Sequence, residues 1–154
     1  MKNQRGFTLL LSALIASIVL ALGTSIFQLA HKELTLSSIG RDSQFAFYAA
    51  DTGAECALYW DSRYQRFPTT TPTAVGITCD NQNKTTTVTE VGNDVISSFQ
   101  FAPNDYCVNV SVTKSFNVVT GVVATTITAY GFSARCEAVT DSLRVLQRSV
   151  EFRY

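Results

Sequence analysis

The sequence predicts an α+β fold in which a long N-terminal stem helix, half transmembrane and half amphipathic, packs on an antiparallel β-sheet headpiece. Three patterns carry that prediction. Residues 7–30 hold no charged side chain, residues 39–60 repeat with a helical period and contain no proline, and the runs beyond them alternate with the period of a strand.

The apolar stretch comes first. At 1.5 Å of rise per residue, residues 7–30 measure roughly 36 Å as a helix, enough to cross a bilayer core of about 30 Å with some tilt. Lys2 and Arg5 stand just before it. Moving an ammonium or guanidinium group into hydrocarbon is costly, so these two cations hold the N-terminus on the cytoplasmic side. The stretch exceeds the about 7 to 15 apolar residues of a cleaved secretory signal, and Ala21-Leu22-Gly23 is a weak cleavage site embedded in continuing hydrophobicity. His31, followed by Lys32 and Glu33, marks the outer end of the span. Gly23, beside Thr24 and Ser25, is its weakest point, because glycine costs about 1 kcal/mol against alanine in a helix. Local extension on assembly is expected to begin there.

The amphipathic half covers residues 31–60. At 100° per residue, Ile39, Phe45, Ala46, Ala49, Ala50, Gly53, Cys56, Ala57 and Trp60 fall on one arc, with Arg41, Gln44, Tyr48, Asp51, Thr52, Glu55 and Tyr59 opposite. Asp42 lands within the apolar arc near its lower end, where solvent is expected to reach it. The middle of the packing arc is built of alanine and glycine, so a sheet can approach the helix backbone closely. From Phe7 to Trp60 the helix is about 80 Å long, a length that makes sense as a stem shared between a membrane and a headpiece.

The loop and headpiece occupy residues 61–154. Residues 61–73 lack apolar periodicity and hold two of the three prolines, which reads as a connecting loop. Val108, Val110 and Val112 then alternate with Asn109, Ser111 and Thr113, and Phe99 and Phe101 with Ser98 and Gln100. Gly92-Asn93-Asp94 and Pro103-Asn104-Asp105 supply turns, and Val150, Phe152 and Tyr154 alternate with Glu151 and Arg153 in a closing strand. The expected order is one helix followed by an antiparallel meander with one face on the helix. About 110 to 120 residues outside the span suffice for one core.

Four cysteines, Cys56, Cys79, Cys107 and Cys136, all lie outside the apolar stretch. An even count in an exported domain argues for disulfides, with three connectivities open. Cys56 with Cys79 and Cys107 with Cys136 are favoured, the first tying the sheet entry to the helix end and the second linking two strands. A zinc site is the rival reading, but no Cys-x-x-Cys pair occurs and the one histidine, His31, sits at the membrane edge. Asp80-Asn81-Gln82-Asn83 lacks the spacing and the bidentate glutamate of a calcium loop and reads as a solvated turn. Asn83-Lys84-Thr85 and Asn109-Val110-Ser111 match the glycosylation pattern, and in a bacterial protein such matches are expected by chance. With one histidine, no glycine-rich phosphate cradle and no Gly-x-Ser-x-Gly motif, no catalytic constellation assembles. The expectation is a protein without enzymatic activity or cofactor.

The leader Gln4-Arg5-Gly6-Phe7-Thr8-Leu9 resembles the class III signal of type IV pilins and of type II secretion pseudopilins. Residues 44–58, with Ala49-Ala50-Asp51-Thr52-Gly53, are similar to a segment in the stem helix of PilX-type minor pilins and GspK-type pseudopilins. The resemblance covers Met1 to about Trp60. It implies a leader of residues 1–6, cleavage by a prepilin peptidase between Gly6 and Phe7, and methylation of the new N-terminal Phe7. Assembly would run through Phe7, Thr8, Leu9, Leu10 and Leu11 at the head of the apolar helix. The partners it implies are other pilin or pseudopilin subunits, the processing peptidase, and the bacterial inner membrane before entry into a cell-surface or periplasmic filament.

One departure from the family matters. Most pilins carry a glutamate five residues into the mature chain, thought to pair with the N-terminal amine of a neighbouring subunit; here that position is Leu11. An uncharged Leu11 is at ease in lipid. It also removes the means of docking beneath an earlier subunit, while the Phe7 amine can still receive the glutamate of the next one. The resemblance therefore implies a priming or tip subunit. The rival expectation is a single-pass membrane protein whose external β-domain binds a ligand without entering a filament. Twelve basic residues balance twelve acidic ones, and loss of Lys2 and Arg5 leaves a net charge of −2, so charge gives no support to a nucleic-acid partner.

Overall fold

The computed structural model describes residues 4–141 and 144–154, with side chains from residue 7 onward. Met1, Lys2 and Asn3 of the expected leader lie outside the described residues. Helix α1 runs Gln4–Tyr64. Two compact units divide the chain at Met1–Gly40 and Arg41–Tyr154.

In Met1–Gly40 the backbone is helical from Gln4 onward and passes through Gly23 unbroken. Every described side chain from Phe7 to Gly40 is exposed.

Arg41–Tyr154 is the α+β unit. Two strands, β1 Gly76–Cys79 and β2 Gln82–Thr85, form a hairpin. Five more, β3 Thr87–Val91, β4 Asp94–Phe101, β5 Val108–Phe116, β6 Val123–Phe132 and β7 Gln147–Arg153, form an antiparallel meander in sequence order. Alternation decides which face is covered: Val108, Val110 and Val112 are buried on β5, as are Phe99 and Phe101 on β4. With Ile127 and Ala129 of β6 they receive Ala49, Ala54 and Ala57 of the helix in one core.

The small residues of the helix set how near the sheet comes. A Cβ at Gly131 of β6 would stand 2.0 Å from the Ala46 carbonyl oxygen and 2.4 Å from the Ala50 nitrogen, so strand backbone rests directly on helix backbone. At Gly53 a Cβ would meet the Val108 and Val110 methyls at 2.6 and 2.9 Å. Phe45 stacks on Tyr106 at one end of this contact, with ring centroids 4.7 Å apart.

Several boundaries differ from those expected. The helix continues one turn past Trp60, to Tyr64, because Asp61 is buried on its packed arc. It stops where Gln65 enters the left-handed region (φ 48°), and the N–H groups of Gln65 and Arg66 donate to the Asp61 and Trp60 carbonyls. Ala54 joins the packed arc, whereas Ile39 is exposed and Asp42 is half-buried with Arg41 3.8 Å away. The β1–β2 hairpin occupies the segment read as a solvated turn. Only Asp80 and Asn81 turn, both at positive φ (49° and 57°), as a two-residue hairpin turn demands. Likewise Gly92 (φ 66°) and Asn93 alone make the β3–β4 turn, with Asp94 already in β4. Strand β7 begins at Gln147, three residues before the expected Val150, and ends at Arg153.

Candidate functional site

Two regions carry chemistry, one in each unit. The first is the apolar segment at the head of α1. Phe7, Leu9, Leu10 and Leu11 are exposed, and α1 holds a stretch long and apolar enough to cross a membrane near the N-terminus. Four of its hydroxyls are turned back on the helix. Ser12 donates to the Leu9 carbonyl at 2.9 Å, Ser17 to Leu14 at 2.8 Å, and Thr24 and Ser25 both to Ala21 at 3.0 and 2.8 Å. A hydroxyl bonded within its own helix has its donor satisfied without water, the condition that hydrocarbon imposes. Apart from the Gln28 amide near its outer end, the surface offered by this segment is therefore mostly aliphatic and aromatic carbon.

The second region is a clasp inside Arg41–Tyr154. Lys114, on the inward parity of β5, donates from Nζ to Oδ2 of Asp61 and, at 2.9 Å, to Oγ1 of Thr125 on β6. The Tyr154 hydroxyl donates to the same Asp61 oxygen at 2.6 Å. Tyr154 is held there by reciprocal backbone bonds with Thr125, at 2.8 and 3.1 Å. Asp61, Lys114 and Thr125 are buried, and Asp61 Oδ1 has no partner among the described residues. The last turn of the helix, β5 and the residue after β7 thus meet at one carboxylate, with Thr125 of β6 joined to it through Lys114. The arrangement fastens elements together, since each donor to that oxygen comes from a different one.

Sequence reasoning missed this clasp, although two signals were available. Lys114 continues the buried series 108, 110, 112, and a cation at a buried position demands an anion. Asp61 lies four residues beyond Ala57 on the packing arc, one helical turn further along.

The clasp has a pH signature. Burial, then the hydrogen bond and charge of Asp61, push the Tyr154 phenol well above its usual range. The unfolded phenol ionises near pH 10, so above that the unfolded chain binds fewer protons than the folded one and stability falls as pH rises. Urea titrations of the full chain in micelles at about pH 9 and about pH 11 should show a marked loss at the higher value. Tyr154→Phe should reduce that loss.

The four cysteines form Cys56–Cys79 and Cys107–Cys136. They close separations of 23 and 29 residues, worth about 3.5 kcal/mol each in the chain-entropy model. The first joins α1 to β1, alongside a 3.0 Å hydrogen bond from the Trp60 indole to the Thr78 carbonyl. The second does not link two strands as expected: Cys107 lies just before β5, and Cys136 opens the turn Cys136–Ala138. Gly6 lies in the helical backbone at the expected cleavage point, and Phe7 and Leu11 are exposed on the following turns.

Compared with protein-family models, curated proteins and solved structures, the chain matches none.

Proposed function

We propose that the chain is a minor pilin or pseudopilin, a structural subunit that waits in the bacterial inner membrane and then enters a type IV pilus or a related secretion pseudopilus. The observation that carries this reading is the exposed apolar segment beginning at Phe7, with four of its hydroxyls bonded internally, directly behind the basic word that ends in Gly6. Such a surface suits two surroundings of the same polarity: lipid before assembly and a bundle of like helices after it.

In this reading a prepilin peptidase cuts after Gly6 and the new Phe7 amine is methylated. The amine then receives the glutamate of the following subunit, while Leu11 accepts no such partner, which suits a priming or tip position. The work is mechanical rather than catalytic and needs no cofactor.

Mass spectrometry of the protein from cells with an active prepilin peptidase tests the proposal. The expected N-terminus is methylated Phe7. An intact Met1 would instead support the second reading, a permanent single-pass anchor, which the same apolar helix also serves. Abundance is a further check, since a priming subunit should be rare beside a glutamate-bearing major pilin.

A further inference from the structure

The face of the five-stranded sheet turned away from the core is organised in rows. Register places Gln100 opposite Asn109, Asn109 opposite Tyr130, and Tyr130 opposite Ser149. The neighbouring row holds Thr87, Ser98, Ser111 and Thr128 and ends at Glu151 of β7. Solvated sheet faces ordinarily carry charged side chains among their polar ones. Among the described residues, the outward positions of β4, β5 and β6 from Ile96 to Tyr130 carry none, and the charges of this face stand at its border, Asp94 on β4 and the Glu151–Arg153 pair on β7.

We infer that this face binds a neutral saccharide. A cavity of about 480 Å³ lies over the two rows, lined by Thr87, Ser98, Gln100, Asn109, Ser111 and Tyr130 together with Thr85 at its rim. Tyr130 is 40% exposed and offers an aromatic face, the partner for the C–H face of a sugar ring. Beside it, the Gln100 amide donates to the Asn109 amide oxygen at 2.7 Å. That bond leaves the Gln100 amide oxygen, one Gln100 N–H and both Asn109 N–H groups unspent, an acceptor and donors side by side. Adjacent hydroxyls on a sugar ring need such a pairing, one giving a proton and the other accepting.

The same chemistry excludes other occupants. No lysine or arginine lines the cavity, so a phosphate or a nucleic-acid backbone finds no counter-charge. Its lining, which also takes in Phe99 and Val110, is polar and apolar in about equal parts, so a purely alkyl ligand would strand the hydroxyls and amides without partners. The site lies wholly within Arg41–Tyr154 and stands whether or not the chain enters a filament.

Saturation-transfer NMR on the full chain in lipid nanodiscs tests the inference. The probes are cellotetraose, chitotetraose, maltotetraose and mannotetraose, with sialyllactose and a heparin tetrasaccharide as charged comparisons. At least one neutral probe should bind, Tyr130→Ala should weaken it about tenfold, and Tyr130→Phe, which keeps the ring, should retain it. Should Tyr130→Ala fail to fold, the pair Gln100→Leu with Asn109→Leu, on the outward face, should show the same loss. Silence from every neutral probe, binding of the charged probes only, or unchanged binding in these variants would overturn it.

Discussion

Gly131→Ala should cost about 3 kcal/mol or more, among the largest losses open to a single methyl group in this protein. The added carbon would stand 2.0 Å from a backbone oxygen and 2.4 Å from a backbone nitrogen of α1, neither of which can rotate aside. Helix and sheet must separate, and every contact from Ala46 to Ala57 loosens with them. Gly53→Ala should be milder. Its Cβ meets valine methyls rather than backbone, and alanine returns about 1 kcal/mol of helix propensity. Gly76→Ala, with nothing within 4 Å, serves as the reference. Urea unfolding of the full chain in micelles, followed by Trp60 fluorescence, gives all three values. A loss at Gly131 no larger than that at Gly76 would mean that helix and strand are not in backbone contact.

Lys114→Met should be comparably damaging, at about 3 to 5 kcal/mol, because it leaves the Asp61 carboxylate buried with only the Tyr154 hydroxyl and no counter-charge. The double variant Asp61→Leu with Lys114→Met should recover most of that loss, since buried pairs replaced together by apolar groups are often neutral. A strongly favourable coupling between the two sites is the signature of the clasp. Near-additive effects would show that the ion pair is solvated and fastens nothing.

These two contacts mark where sequence reasoning reached and where it stopped. The close approach of helix and sheet was legible, since alanine and glycine at 46, 49, 50, 53 and 57 leave no other use for that arc. Its partner was not, because Gly131 looks like any strand glycine until the register sets it over Ala46. The central strands were legible from alternation, which a half-buried strand enforces. The β1–β2 hairpin was not: Gln82-Asn83-Lys84-Thr85 has little intrinsic strand preference. It is held by tertiary ties, the Cys56–Cys79 disulfide, the Trp60 indole and a 2.9 Å bond from Gln82 to the Ala102 carbonyl. The cysteine count announced two bridges but left three pairings open. The apolar segment needed least inference, because the absence of charge over residues 7–30 is a property of composition rather than of folding.

The account rests on that segment exchanging lipid for a bundle of similar helices, and shearing filaments from cells tests this most directly. Filaments from cells with an active prepilin peptidase should contain the protein, processed to Phe7, and filaments from peptidase-deficient cells should lack it. Recovery of the protein solely from the membrane fraction in both strains, while the pilins of the same cells shear away normally, would contradict the proposed function.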